Sequence, residues 1–157
     1  MMNNETVIGR IYQHNIVKKT VLNQSSPNFD KEFISCNLGT AIDEKGLVVI
    51  PVHFTYVVEM NNSGNKNTTD VNLDKIINEN NTWILKGKEE ASKIRIDTAL
   101  SINDFYTQDN RLDSTKINEG GFATFISDLG AENERNTFTT DILITNVTRV
   151  EKTLKKI

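Results

Sequence analysis

Two adjacent aromatic residues, Phe105 and Tyr106, precede a run of turn-forming polar residues that ends in the cation Arg111. Aromatic side chains offer flat faces on which unpaired bases stack, and a guanidinium group can pair with a phosphate. Because consecutive side chains of a strand point to opposite faces, the two rings cannot face the same way, and one of them should be exposed. The segment therefore predicts a binding tip.

The residues before this tip alternate as in a half-buried strand, with Ile94, Ile96, Leu100 and Ile102 on the aliphatic side. Arg95 falls on the opposite side, which makes it a candidate ligand-facing cation. The alternative for Arg95 is a cross-strand pair with an acid such as Asp141.

Other rings and cations lie earlier in the chain. Tyr12 and Arg10 belong to the first predicted strand, and Phe54 and Tyr56 belong to the third main strand. Phe54 and Tyr56 share a face with four aliphatic positions, so a core position is the favoured interpretation for both and ligand contact is the alternative. Most surface lysines are simply solvated.

Enzymatic chemistry is poorly supported by the residue types present. His14, His53 and Cys36 are the only histidines and the only cysteine, and they lack the spacing of a metal or nucleophile site. An acidic nuclease cluster is conceivable among Asp97, Asp104, Asp109 and Asp113, but no fixed acidic motif links them. We therefore expect no catalytic residue, no metal and no cofactor.

The length and net charge of the chain limit the classes of protein to which it can belong. A chain of 157 residues is expected to form one domain with a real core. Its net charge of -3 argues mildly against non-specific nucleic-acid binding, although a sum over the chain does not describe one groove.

The expected compartment is the cytoplasm. No apolar run reaches the ~20 residues of a membrane span, and the first ten residues lack the pattern of a signal peptide. The single cysteine, Cys36, excludes an intrachain disulfide.

The predicted elements are mostly strands. A helix is expected at 70–81 with Asp70 as its N-cap, and 111–121 is expected to be a polar excursion. The predicted strands are 6–12, 17–22, 29–38, 47–60, 93–110, 122–126 and 137–150. One helix after the third main strand is the order of a small Greek-key barrel, and an oligonucleotide-binding (OB) fold has that order.

Several segments resemble the bacterial single-stranded DNA-binding proteins. VIGRI (Val7–Ile11) is similar to the opening strand of that family, and HFTYVV (His53–Val58) is similar to its third strand. The segment Lys93–Leu112 resembles its polar strand and hairpin, and Thr140–Glu151 resembles its closing strand. The resemblance implies a mainly β, five-stranded OB barrel with one helix and an inserted hairpin or loop region.

The departures from this family point to a divergent member. Family members carry tryptophans at stacking positions, whereas the one tryptophan here, Trp83, follows the helix. The chain lacks the acidic tail of typical cellular members, and 113–136 resembles an insertion of versions carried by phages and plasmids. We expect one domain over 1–152, with a flexible arm at 1–5, that insertion, and a short basic tail at 153–157.

The favoured function is the coating of single-stranded DNA without strong sequence preference, in plasmid or phage DNA replication or transfer. RNA is an open alternative ligand, and self-association through strand edges is expected from the family. The competing hypothesis is a β-barrel protein-interaction or assembly module without nucleic-acid binding. The candidate nucleic-acid-binding residues are Arg10, Tyr12, Lys18, Lys19, Tyr56, Lys86, Lys88, Arg95, Phe105, Tyr106 and Arg111.

Overall fold

A computed structural model describes residues 3–140 of the chain as seven strands, two helices and one short 3-10 turn. The predicted closing strand after Thr140 and the basic tail at 153–157 lie outside the described residues. The strands are β1 (Asn3–His14), β2 (Val17–Thr20), β3 (Glu32–Ala41), β4 (Val49–Val58), β5 (Lys93–Tyr106), β6 (Leu112–Phe125) and β7 (Asn136–Thr140). The helices are α1 (Thr68–Glu79) and α2 (Trp83–Lys86), and the 3-10 turn is Glu132–Glu134.

Five of these strands close into a barrel. The order β1-β3-β4-β6-β5 returns to β1, because β1 pairs with β5 through its first half and with β3 through its second half. All pairings in the ring are antiparallel except that of β4 with β6. Helix α1 lies between the third and fourth barrel strands in the chain. This topology is the OB fold, and the predicted fold class is confirmed.

The core is built from the inward-facing residues of the barrel strands. Val7, Leu38, Phe54 and Ile96 are completely buried, and Leu73 of α1 joins the same cluster. Burial of such side chains stabilises the fold by about 1.5–3 kcal/mol each. Helix α1 covers one end of the barrel, where Asn72 Nδ2 donates to the carbonyl of Ala123 at 2.8 Å.

The N-cap of α1 is Asn67, not Asp70 as predicted. The side-chain oxygen of Asn67 accepts a hydrogen bond from the backbone N–H of Thr69 at 3.0 Å. Asp70 lies inside the first turn, where its charge still suits the positive end of the helix dipole. The sequence pattern misplaced this boundary because both residue types cap helices well.

Two other local predictions also need correction. Asn3–Glu5 were expected in a flexible arm, but they belong to β1, where they pair with β7 and Glu5 also pairs with β5. The range 111–121 was expected to be a polar excursion. Most of it is strand β6, a wall of the barrel that pairs with β5 along its length. Its polar residues misled the prediction because much of β6 faces solvent.

Candidate nucleic-acid interface

An aromatic pair, half-buried Phe33 and exposed Tyr56, marks the outer surface of β3 and β4. Phe33 and Tyr56 lie with ring centroids 4.7 Å apart and planes tilted by 40°. Along the same surface, Asn37 and His53 are hydrogen-bonded through Oδ1 and Nδ1 at 2.7 Å. We call these four residues, together with Lys19 of β2, the β3–β4 face. It combines stacking surfaces with groups that can hydrogen-bond to bases.

Tyr56 faces outward because β4 carries a bulge. Ile34 pairs with Val57, but Cys36 pairs with Phe54, so β4 holds one extra residue across this step. The bulge shifts the alternation by one position. Phe54 is buried, as predicted, but the favoured core position of Tyr56 is wrong: its ring is 45% exposed. The ligand-contact alternative is the one compatible with that exposure.

The two predicted lysines of β2 have different surroundings. Lys19 is paired in register with Phe33, and within 3–140 it has no ion-pair partner. The Nζ of Lys18 lies 2.5 Å from an Oδ1 of Asp74 on α1. The hydrogen bond to Asp74 raises the pKa of Lys18 above its usual value. Lys19 is therefore the freer of the two cations.

The predicted binding tip is the end of a long hairpin. β5 and β6 stay paired as far as Tyr106 and Leu112, and the turn closes where the N–H of Thr107 donates to the carbonyl of Arg111 at 2.9 Å. Phe105 is 39% exposed and Tyr106 is 70% exposed, so both rings are accessible. Alternation from the buried Thr98 puts Phe105 on the outer side of the hairpin and Tyr106 on the inner side.

The aliphatic side of β5 is core only in its first half. Ile94 and Ile96 are completely buried, but Leu100 is 37% exposed and Ile102 is 68% exposed. The strand extends past the end of the barrel, so its later residues have no opposing wall. Periodicity alone cannot reveal this, because the alternation continues unchanged along the overhang.

The guanidinium group of Arg95 is ion-paired with a carboxylate on its own strand, β5. Its Nη2 lies 3.1 Å from Oδ1 of Asp97, which also accepts a hydrogen bond from Thr6. The alternative partner considered above, Asp141, lies outside the described residues. Arg95 and Asp97 line a shallow cavity on the outside of β1, β5 and β6, away from the β3–β4 face.

Tyr12 and Arg10 pack beneath the segment that follows α1. The ring of Tyr12 lies 6.0 Å from that of Trp83, and Nη1 of Arg10 donates to the carbonyl of Ala91 at 3.5 Å. Lys86 and Lys88 lie in the same region. Lys86 donates to Asn81 at 2.7 Å, and Lys88 is ion-paired with Glu44 at 2.8 Å. The structure thus ties these four predicted residues to local partners.

The structure therefore divides the predicted set. Lys19 and Tyr56 come together on the β3–β4 face, and Phe105, Tyr106 and Arg111 come together at the hairpin tip. The sequence analysis missed Phe33, Asn37 and His53 as site residues. The signal that could have found them is that all three side chains point outward from two neighbouring strands. Recognising it requires the register between β3 and β4.

Two further features bear on reactive chemistry. Burial raises the pKa of the Cys36 thiol to about 12, so the thiolate is disfavoured at neutral pH. Among residues 3–140, no three His, Cys, Asp or Glu side chains are grouped so that they could hold a metal ion.

No helix in this part of the chain is long and apolar enough to cross a membrane.

Comparison with known proteins adds a distant likeness. No family model matches the chain, and no curated protein matches it in sequence. Similar solved structures include two crystal structures of the mitochondrial single-stranded DNA-binding protein of S. cerevisiae. Each is 9% identical, and each match covers 80% of this chain and 95% of the yeast chain, with TM-scores of 0.39 and 0.40. Scores this low do not support a shared function, so function has to be judged from the site itself.

Proposed function

We propose that this protein binds single-stranded DNA across the β3–β4 face and along the β5–β6 hairpin. The observation that carries the proposal is the Phe33–Tyr56 pair on the outside of the sheet. A ring held on a solvent-facing sheet gains little for the fold, yet it offers a surface on which an unpaired base can stack. Each stacked base contributes roughly 1–3 kcal/mol and does so with little regard to sequence.

The hairpin extends the same surface. β6 meets β4 where His53 lies in register with Glu119, and Nδ2 of Asn118 donates to the carbonyl of Pro51 at 3.2 Å. At a rise of about 3.3 Å per residue, the path from Tyr56 to Phe105 is roughly 30 Å. Such a path suits a strand of several nucleotides, within the ~4 to 16 that one OB fold covers.

Phosphate contacts come from cations without carboxylate partners. Lys19 and Arg111 have no ion pair within residues 3–140, and they lie near the two ends of this path. They are few, which agrees with the net charge of -3. Stacking should therefore carry a larger share of the affinity than in strongly basic binders.

Titration of labelled single-stranded DNA, single-stranded RNA and duplex, each at two salt concentrations, tests the proposal. We expect single strands to bind better than duplex, because paired bases cannot reach the rings. Tyr56→Ala should weaken binding by about tenfold or more, as expected for one lost stacking contact. The matched control is Phe122→Ala, since Phe122 is also 45% exposed but is paired with Asp97 of β5 and lies off the path from Tyr56 to Phe105.

Absence of single-strand binding at low salt, or equal losses for the two variants, would count against the proposal. Because RNA is titrated in parallel, the same experiment identifies the preferred nucleic acid. The discriminating group is the 2′-hydroxyl.

The competing function is a protein-interaction module that keeps the barrel without a nucleic-acid ligand. The ion pairing of Lys18, Lys88 and Arg95 favours it, since these predicted phosphate contacts are already engaged. A folded protein that ignores all three nucleic acids would support this alternative.

The biological setting forms a further part of the proposal. We place the protein in the cytoplasm, in plasmid or phage DNA replication or transfer, on the residue pattern of the chain. Self-association is proposed through a sheet edge: among the described strands, β2 pairs only with β3. An open edge can accept a further strand. Sedimentation velocity with and without DNA tests this, and a monomer in both states would contradict it.

A further inference from the structure

His53 lies in the middle of the path proposed for single-stranded DNA. It belongs to the stretch where β4 meets β6, and its register partner on β6 is Glu119. The two unpaired cations of the path, Lys19 and Arg111, lie near its ends and not at this point. A phosphate that passes the junction of the two strands therefore meets an imidazole.

The contacts of His53 engage one ring nitrogen and leave the other free. Nδ1 lies 2.7 Å from Oδ1 of Asn37. An amide oxygen only accepts hydrogen bonds, so Nδ1 carries a proton and the neutral ring presents Nε2 as an acceptor. Asn37 is itself held in place, because its backbone N–H donates to Oδ1 of Asn15 at 2.6 Å. Within residues 3–140, Nε2 of His53 has no hydrogen-bond partner.

A proton on Nε2 of His53 changes what this atom can bind. The neutral nitrogen is an acceptor and has no proton to donate to a phosphate oxygen. The imidazolium ring carries a positive charge and donates from both nitrogens, so Nε2–H can make a charge-assisted hydrogen bond to a phosphate. Histidine is the ordinary side chain whose charge changes between about pH 5 and 8.

Among the described residues, one charged side chain faces His53 from the strands beside it. Its register partner on β3 is the uncharged Asn37, and its register partner on β6 is the carboxylate Glu119. Pro51 and the phenol of Tyr56 are its outward neighbours on β4. No ion pair joins Glu119 to His53 within 3–140. Glu119 repels phosphate, and a proton on His53 offsets that repulsion.

We propose that His53 is a proton-controlled phosphate contact, which strengthens the binding of single-stranded DNA as the pH falls from about 8 to 5. The inference rests on the proposed binding of single-stranded DNA. The protonated ring is the form that binds phosphate, so the contact is present at the acidic end of this range and is lost as the pH rises. The path then has a third cation in acid only.

Fluorescence anisotropy with oligo-dT of about 12 nucleotides tests the proposal, over a range of salt concentrations at about pH 5.5 and pH 8. Oligo-dT is the probe because thymine gains no proton in this range. We expect binding to be roughly threefold to fivefold tighter at the lower pH, the effect of one exposed charge contact. The slope of log affinity against log salt should also be steeper there by about 0.7. In His53→Gln both differences should disappear.

The matched control is His14→Gln, since His14 is the one other histidine of the chain. It is in register with the buried Leu38 and so lies on the other side of the sheet. Both of its ring nitrogens are engaged: Nε2 with Oδ1 of Asn80 at 3.1 Å, and Nδ1 with the N–H of Ile16 at 3.3 Å. This control should keep the full pH dependence.

Two further variants separate the charge of His53 from its packing. His53→Lys carries a permanent cation, so it should bind oligo-dT equally well at both pH values and should match the unchanged protein in acid. It also serves as the test if circular dichroism shows that His53→Gln is unfolded. Glu119→Gln should keep the pH dependence, because the proton acts on the phosphate and not only on Glu119.

Binding of oligo-dT that does not change with pH in the unchanged protein would overturn the role of His53 while leaving the proposed function intact. A pH dependence that survives in His53→Gln, or that is lost in His14→Gln or Glu119→Gln, would overturn it as well. Absence of binding at both pH values would overturn the proposed function and the phosphate contact together.

Discussion

Lys18 and Lys19 are neighbours in the chain, but tertiary contacts give them different roles. Lys18 is paired across strands with the buried Ile34 and reaches Asp74 on α1, whereas Lys19 is paired with Phe33 on the outer surface. A cation that already has a carboxylate partner releases few counterions when DNA binds. At the scale of single residues, whether a cation already has a carboxylate partner matters more for DNA binding than the number of basic side chains.

Lys19→Ala should weaken single-stranded DNA binding and reduce the slope of log affinity against log salt by about 0.7, the value for one phosphate contact on a single strand. Lys18→Ala should leave that slope unchanged because Lys18 is held by Asp74. Titrations over a range of salt concentrations measure both slopes. Equal changes of the slope in the two variants would show that Lys19 does not contact a phosphate.

At the scale of elements, the junction between β4 and β6 in the barrel, which we call the seam, depends on a glycine. A Cβ atom at Gly120 would lie 2.5 Å from the ring of Phe54, so no other residue fits without movement of that ring. β4 and β6 share a single bridge, between His53 and Glu119. Close ring packing therefore supports a seam that has little hydrogen bonding.

Gly120→Ala should lower the free energy of unfolding by about 1–3 kcal/mol, the usual cost of overpacking a core. In a Phe54→Leu background the added methyl group has more room, so the same substitution should cost less. Urea unfolding of the four proteins in this double-mutant cycle measures the coupling. Strict additivity would show that the ring and the glycine do not interact.

The hairpin overhang is the second element with a separable role. Ser101 and Ile117 are paired, so an Asn-Gly turn can join them and remove the residues beyond. The shortened protein should remain folded, because the removed side chains are mostly exposed. Its affinity for single-stranded DNA should fall by about tenfold or more, because the Phe105 stacking contact and the Arg111 phosphate contact are both lost.

Circular dichroism and anisotropy together test the shortened hairpin. A folded variant with unchanged affinity would confine binding to the β3–β4 face. Loss of folding would show instead that the overhang contributes to the barrel.

At the scale of the whole molecule, one carboxylate connects three loops. Glu44 accepts from Arg135 at 2.7 Å and from Lys88 at 2.8 Å, and Arg135 also donates to the carbonyls of Ile42 and Gly130. The loop after β3, the loop before β5 and the segment before β7 are thereby joined. Lys88 and Arg135 lower the pKa of Glu44 to about 2.

This pKa gives the stability of the fold a defined dependence on pH. The folded-state pKa of Glu44 lies below its ordinary value of 4.5, so the ionised form favours folding. The contribution is present above about pH 4.5 and is lost as the pH falls towards 2. Glu44→Gln should therefore destabilise the protein at neutral pH, and the difference from the unchanged protein should shrink in acid.

Urea midpoints of both proteins at neutral pH and near pH 3 measure this change. Glu134→Gln serves as the control, since Glu134 is exposed and has no ion pair within 3–140. A gap between Glu44→Gln and the unchanged protein that stays constant with pH would contradict the role given to Glu44.

Local sequence pattern by itself determined the class of fold and most of its elements. Period-two alternation of apolar residues is a property of each strand, so β1, β3, β4 and the first half of β5 could be located without their partners. The three-four spacing of apolar residues in α1 is likewise a property of one segment, so the helix could also be located, although its N-cap is Asn67 and not Asp70. Phe105 and Tyr106 were accessible to prediction because they adjoin turn-forming residues.

Only the tertiary structure decided which side chains form the candidate site. Tyr56 faces outward because a bulge in β4 is defined by pairing with β3, and Phe33 joins it only through that register. Tyr12 pairs with Trp83, which is distant in sequence, and Lys18 with Asp74. Leu100 and Ile102 keep their alternation but lose an opposing wall where the barrel ends. Strand register, ion pairing and barrel length are relations between distant segments, so the pattern of one segment cannot contain them.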